Sequence, residues 1–231
     1  MSGSRTRSVV LLSGGLDSAA NLAFCVEQDE PVLALTANYG QRAAQAELRA
    51  AQAICKFYQI PHQTLDVSWL GRLGGSSLTD TTQNIPELLS TELDDRGITE
   101  GSAKSVWVPN RNGVLINIAA AFGEQLKANQ VVVGFNREEA ATFPDNSAEF
   151  LKRASASLEY STSNHARVAC YTVNLDKKEI VRKLRALDRQ FPFELLWSCY
   201  HGGEKPCGGC ESCRRLARAL EAGEQVQSEG L

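Results

Sequence analysis

The sequence has no apolar run near the roughly 18 to 20 residues that a membrane span needs, and its first apolar stretch, after Met1 to Arg7, is broken at once by Ser13, Gly14 and Gly15. That excludes a transmembrane helix, and no secretory signal is expected. It also lacks an excess of charge of one sign. The 24 Lys and Arg stand against 27 Asp and Glu, a formal net charge of −3, so there is no global basic field and stable nucleic-acid binding is not expected. The three histidines, His62, His165 and His201, fit no catalytic triad. There is no internal repeat and no low-complexity tract. What remains is an ordinary globular composition, 43% hydrophobic and 22% charged over 231 residues, which predicts one domain of medium size with a small appendage.

Seven cysteines are present. Cys25, Cys55 and Cys170 are scattered in apolar or helical contexts and read as small buried hydrophobes. Cys199, Cys207, Cys210 and Cys213 crowd together instead of spreading over the fold as a disulfide framework would, which favours metal ligation in a reducing, cytoplasmic compartment.

Along the chain, Ser8 to Leu12 reads as a short buried strand and Leu16 to Val26 as a helix. Val32 to Thr36 is a second strand, Gln41 to Tyr58 a strong Ala-rich helix, and Gln63 to Val67 a third strand. This order predicts an α/β domain with a doubly wound, mostly parallel sheet. Periodicity is lost from Ser68 to Asn112, where Gly74-Gly75-Ser76-Ser77 and Asp94-Asp95-Arg96-Gly97 read as turns, so a long irregular connection is expected there. Order resumes with a helix over Val114 to Lys127 and a strand over Val131 to Phe135. A loop over Asn136 to Asn146, a helix over Ser147 to Leu158, a strand over Val168 to Val173 and a helix over Lys177 to Leu187 follow. The predicted division is a main domain over 1–195 and a cysteine-bearing segment over 196–231, with a short Arg-rich helix from Cys213 to Ala222.

Ser13-Gly14-Gly15-Leu16-Asp17-Ser18 follows the first strand and opens the first helix. Glycines there let backbone N–H groups face an anion, the helix start adds partial positive charge, and two serines add hydroxyl donors. The loop lacks the Lys of a Walker-type loop and the three-glycine spacing of the dinucleotide fingerprint, so neither of those classes is supported. It resembles the SGGxDS signature of the PP-loop, or N-type, ATP pyrophosphatases. That resemblance implies ATP binding over Leu12, Ser13, Gly14, Gly15, Leu16, Asp17, Ser18, Ala19, Ala20, Asn21 and Leu22, with pyrophosphate as the leaving group. At the other end, Cys199-x7-Cys207-x2-Cys210-x2-Cys213 offers four thiolates that can close a tetrahedral, structural zinc site, with an iron–sulfur cluster as the competing reading.

Together with Asn38-Tyr39-Gly40-Gln41, Val108-Pro109-Asn110-Arg111-Asn112, Gly134-Phe135-Asn136, Phe143-Pro144-Asp145, Asp176-Lys177-Lys178-Glu179-Ile180 and Trp197-Ser198-Cys199, these features make nearly the whole chain resemble the 7-cyano-7-deazaguanine synthase (QueC or ExsB) family. The resemblance implies an ATP- and Mg²⁺-dependent carbon–nitrogen ligase, taking 7-carboxy-7-deazaguanine and ammonia to the nitrile on the way to queuosine or archaeosine, and a homodimer. Asp17 is the candidate for organising Mg²⁺ or fixing the loop, Arg111 for clamping a phosphate or the substrate carboxylate, and Lys177 for a phosphate. Tyr39, Gln41, Asn136 and Asp145 are candidates for the substrate, Asp145 for the exocyclic amine of a guanine-like ring. Two segments depart from the family pattern: Asn110 stands where many members have Gly, and Asn146-Ser147 where many have Cys-Arg. The alternatives are a related PP-loop enzyme with another acceptor, or a non-catalytic module that uses the knuckle and Arg214, Arg215 and Arg218 to bind RNA or protein.

Overall fold

The computed structural model describes residues 5–228, with side chains through residue 222. Five parallel strands form one sheet in the order β3-β2-β1-β4-β5. They are β1 (Arg7–Leu11), β2 (Glu30–Asn38), β3 (His62–Asp66), β4 (Gln130–Val132) and β5 (Arg167–Ala169). The doubly wound α/β sheet expected from the sequence is therefore present. Among the described residues no helix is long and apolar enough to cross a membrane.

Alternation along the strands divides the core between two faces. Val10, Ala34 and Val132 face α1 (Leu16–Gln28), α2 (Ala44–Tyr58), α7 (Lys177–Arg185) and α8 (Glu211–Ser228). Val9, Leu33, Leu35, Val131 and Val133 face α4 (Arg111–Gln125) and α6 (Ala148–Ser161). Full burial of a residue such as Leu16, Leu22, Ile54 or Ile116 stabilises the fold by about 1.5–3 kcal/mol each before chain entropy is set against it. The chain leaves β1 toward β2 on one side and returns through β4 on the other, so strand order reverses at β1. A crevice opens at the carboxyl ends of the strands at such a point.

The stretch expected to be irregular, Ser68 to Asn112, contains a 3₁₀ turn over Ser68–Leu73 and the helix α3 (Arg96–Val106). Asp95, read from the sequence as part of a turn, is the N-cap, and its carboxylate accepts from the Ile98 N–H at 3.1 Å. Helical periodicity is masked because α3 contains Gly97 and Gly101 and buries Thr99, Ser102, Ala103 and Val106, with no large aliphatic stripe. The loop expected over Asn136 to Asn146 likewise holds a single helical turn, α5 (Arg137–Ala140). Strands β4 and β5 are three residues each, shorter at their carboxyl ends than Val131 to Phe135 and Val168 to Val173 predict.

Candidate active site

A cavity of about 270 Å³ opens at the strand-order reversal. Its floor is the turn between β1 and α1. Gly14 adopts φ +84°, and a Cβ there would lie 2.7 Å from the Ala50 Cβ and 3.0 Å from the Glu47 carbonyl oxygen, so α2 packs against the bare backbone. Ser18 closes the loop internally. Its hydroxyl accepts from the Ser13 N–H at 3.1 Å and donates to the Gly15 carbonyl at 3.1 Å, while Ser13 Oγ lies 3.0 Å away. From the other side of the reversal, a Cβ on Gly134 would stand 2.5 Å from the Ser18 Cα and N, so only glycine lets the end of β4 lie on the first turn of α1.

The candidates assigned from sequence divide in space. Ser13, Gly15, Leu16, Asp17 and Ser18, with Leu12, line the cavity, as do Tyr39, Gln41, Arg111 and Lys177. Ala19, Ala20 and Leu22 face the apolar core, and Asn21 donates to Thr172 Oγ1 at 2.6 Å and accepts from the Tyr171 N–H at 2.7 Å, tying α1 to the chain beyond β5. Asn136 is fully buried as the N-cap of α5, accepting from the Glu139 N–H at 3.0 Å, and its Nδ2 has no partner among the described residues. Asp145 lies behind the wall. Its carbonyl meets Asn112 Nδ2 at 3.5 Å, one carboxylate oxygen is buried without a partner among the described residues, and burial raises its pKa.

Lys177, 160 positions from Asp17, brings the charged part of the site together. Its Nζ donates to Asp17 Oδ2 at 2.5 Å and to Glu139 Oε1 at 2.9 Å. One ammonium thus serves two carboxylates. Burial drives Asp17 up to about 6 against the pull of Lys177, and the neighbouring Glu139 charge adds to the rise. Burial also acts on the other two, but Asp17 and Glu139 hold Lys177 firmly cationic, and Lys177 keeps Glu139 below the usual carboxylate range. The second oxygen of Asp17 is buried with no hydrogen-bond partner among the described residues, a donor atom suited to a cation.

Arg111 stands at the start of α4. Its Nη1 lies 3.3 Å from the Tyr39 hydroxyl, and its guanidinium is 5.3 Å from the Tyr39 ring centroid. Burial works against the cation, yet Tyr39 and Asp145 raise its pKa, so it stays charged. Gln41 holds the Tyr39 N–H at 2.9 Å with its oxygen and donates to Glu47 Oε2 at 2.8 Å, and burial raises Glu47.

The departures from the family pattern have simple placements. Asn110 adopts φ +51°, a left-handed conformation that Asn tolerates better than other side chains after Gly. Ser147 caps α6, accepting from the Phe150 N–H at 3.1 Å. Asn146 alone of the three lines the cavity.

The four thiolates Cys199, Cys207, Cys210 and Cys213 lie within 4.8 Å of one another, and Cys199 Sγ accepts from the His201 and Cys207 N–H groups at 3.4 Å each. They could hold one metal ion. The segment that carries them is not remote from the cavity. The Trp197 N–H donates to the Gly14 carbonyl at 2.9 Å, and α8 buries Ala219 in the core shared with α1 and α7. Sequence reasoning missed Glu139, whose only signal is its place after the Asn136 cap, and the cavity-lining Tyr200 and Ser212, which carry no local pattern; Ser198 lies in the matching Trp197-Ser198-Cys199 segment but was given no role in the site.

The family model described as queuosine biosynthesis protein QueC matches residues 7–224. A 7-cyano-7-deazaguanine synthase of Pelotomaculum thermopropionicum is 50% identical over 222 residues, covering 96% of this chain and 100% of that protein. One from Bdellovibrio bacteriovorus is 53% identical over 213 residues, covering 92% and 91%. The solved U34-tRNA thiolase NcsA from Methanococcus maripaludis with its 4Fe-4S cluster aligns over 98% of this chain and 68% of that one, at a TM-score of 0.50 and 13% identity, a likeness of fold alone.

Proposed function

The chain belongs to the QueC family of queuosine biosynthesis proteins, and from that premise we propose that it converts 7-carboxy-7-deazaguanine and ammonia to 7-cyano-7-deazaguanine while ATP is cleaved to AMP and pyrophosphate. The observation that carries the reading is the meeting of the Ser13 to Ser18 loop, Lys177 and Arg111 around one cavity. A carboxylate is a poor electrophile because its leaving group would be oxide. Attack of its oxygen on the α-phosphorus of ATP expels pyrophosphate and leaves an acyl adenylate. Ammonia then adds to that carbon, AMP leaves, and a proton is lost to give the amide. A second ATP adenylates the amide oxygen with loss of pyrophosphate, and departure of AMP with loss of both protons from the nitrogen leaves the nitrile.

Both adenylations gather negative charge on pyrophosphate and on the α-phosphate. The loop N–H groups at the start of α1, the Ser13 hydroxyl and the Lys177 ammonium are suited to that charge, because the fold holds them in place around the cavity before any ligand arrives. Arg111, held against Tyr39, is suited to a planar carboxylate or the α-phosphate. Mg²⁺, when bound, neutralises phosphate charge, and the unpartnered Asp17 oxygen would hold it. Zinc fits the four thiolates. Sulfurs at about 2.3 Å from a tetrahedral ion stand about 3.8 Å apart, within the 4.8 Å spread, and an all-cysteine set leaves no open position for chemistry. A homodimer belongs to the same reading and is checked by light scattering. The enzymatic test follows nucleotide products with the acid as the varied substrate: acid-dependent AMP and pyrophosphate in equal amounts support the reading, and ADP with inorganic phosphate overturns it.

A further inference from the structure

The cavity has two ends, and the site roles assigned above account for one. Over the carboxyl ends of β1, β2 and β4 the wall is apolar, built of Leu11, Leu35, Ala37, Ile116 and Val133. A nucleoside whose phosphates sit at the start of α1 lies over strand ends of this kind. The other end is walled by the segment that carries the cysteines, with Trp197, Ser198, Tyr200, Ser212 and Arg215. Three of these bring hydroxyls. Ser198 Oγ is 3.7 Å from where a Cβ would sit on Gly15, so it stands beside the phosphate loop. The Tyr200 phenol lines the cavity near Glu211, Glu139 and Lys177.

None of the three hydroxyls has a hydrogen-bond partner among the described residues. The charged groups around them are engaged. Glu211 takes the Arg215 Nε at 2.8 Å and the Ser102 hydroxyl, and Glu138 takes the Lys177 N–H at 2.9 Å and Arg215 at 3.2 Å. Arg215 also donates to the Leu93 carbonyl at 3.1 Å. The free hydrogen-bonding capacity of this end therefore rests on the hydroxyls, and a half-buried hydroxyl without a partner is a place for water or a ligand. Phe143 and Trp197 add flat apolar surface beside them.

We propose that Tyr200 and Ser212 bind the ring of the acceptor acid, with Ser198 at the junction where its carboxylate meets the phosphates. The metal-binding segment is then a specificity wall as well as a metal site. The ligand class is a flat bicyclic heteroaromatic acid whose edge carries carbonyl and N–H groups. This rests on the functional reading above.

Steady-state kinetics of the full-length protein, with Mg-ATP and 7-carboxy-7-deazaguanine varied separately, test it. Tyr200→Phe and Ser212→Ala each remove one neutral hydrogen bond, so each raises the KM for the acid about fivefold and the pair about 25-fold. The KM for ATP and the metal content stay as in the unaltered protein. An unchanged acid KM in the double variant, while the unaltered protein turns over, overturns the subsite and leaves the functional reading standing. A parallel rise in the KM for ATP with loss of metal overturns it too, because that is the mark of structural damage. An unaltered protein that binds ATP but ignores the acid overturns the functional reading, and the subsite falls with it.

Discussion

Replacing Lys177 by Met removes the ammonium shared by Asp17 and Glu139 and leaves two carboxylates facing each other in the cavity wall. The side chains of Lys177 and Asp17 are 10% and 14% exposed, so solvent screening does little to soften the change. Breaking a buried pair from one side costs about 3–5 kcal/mol, chiefly through the charge left uncompensated. The loss carries a pH signature. Asp17 titrates at about 6 beside Lys177, and without the ammonium its pKa is higher still, against roughly 3.9 in the unfolded chain. A carboxylate whose folded pKa is raised takes up a proton on folding, so the deficit is full at pH 8 and shrinks as the pH falls through the folded value. Between pH 8 and pH 5 the gap between variant and unaltered protein closes by about 1.4 kcal/mol for each unit by which the substitution lifts Asp17. Urea unfolding at both pH values, with equal m-values required of the two proteins, measures this. A deficit below about 1 kcal/mol at pH 8, or one that is the same at pH 5, refutes the shared-ammonium account.

Three further perturbations address other parts of the account. Gly134→Ala drives a methyl into the Ser18 and Asp17 backbone, where the Cβ would stand 2.5 and 2.8 Å from its neighbours, so calorimetry should find ATP affinity lost before the fold is; an unchanged Kd would mean the loop does not depend on that close approach. Cys210→Ser should abolish metal binding measured by elemental analysis and lower Tm, since α8 and the Trp197 contact to Gly14 hang on the knuckle; a metal-free protein with unchanged Tm would contradict this. Asp95→Ala should cost about 1 kcal/mol through loss of the α3 cap, read by urea unfolding, and no loss would mean that α3 is held by packing alone.

How much was legible depended on whether the signal was local. The Ser13 to Ser18 loop could be read because a strand, two glycines and a helix start are adjacent, and the four cysteines because ligand spacing is short-range. Lys177 was reached through the resemblance, since nothing near it in sequence says that it crosses 160 positions to Asp17. Helix α3 was hidden by two glycines and a buried face of Thr, Ser, Ala and Val. Glu139 was hidden because a single capped helical turn has no periodicity, and Tyr200 and Ser212 because a cavity-facing hydroxyl looks like any surface one until the chain closes around it. Asn110 showed the converse. It breaks the family pattern by residue name, yet stands at φ +51°, a conformation that glycine adopts readily.

The central claim is that this cavity joins ammonia to the carbon of an adenylated acid and carries the product on to the nitrile. Mass spectrometry of the product formed from ¹⁵N-ammonium, Mg-ATP and 7-carboxy-7-deazaguanine tests it most directly. The account predicts 7-cyano-7-deazaguanine bearing one heavy nitrogen, with two AMP formed for each nitrile. Acid recovered unchanged from folded, metal-loaded protein, or labelled amide as the end point with a single AMP, would contradict it.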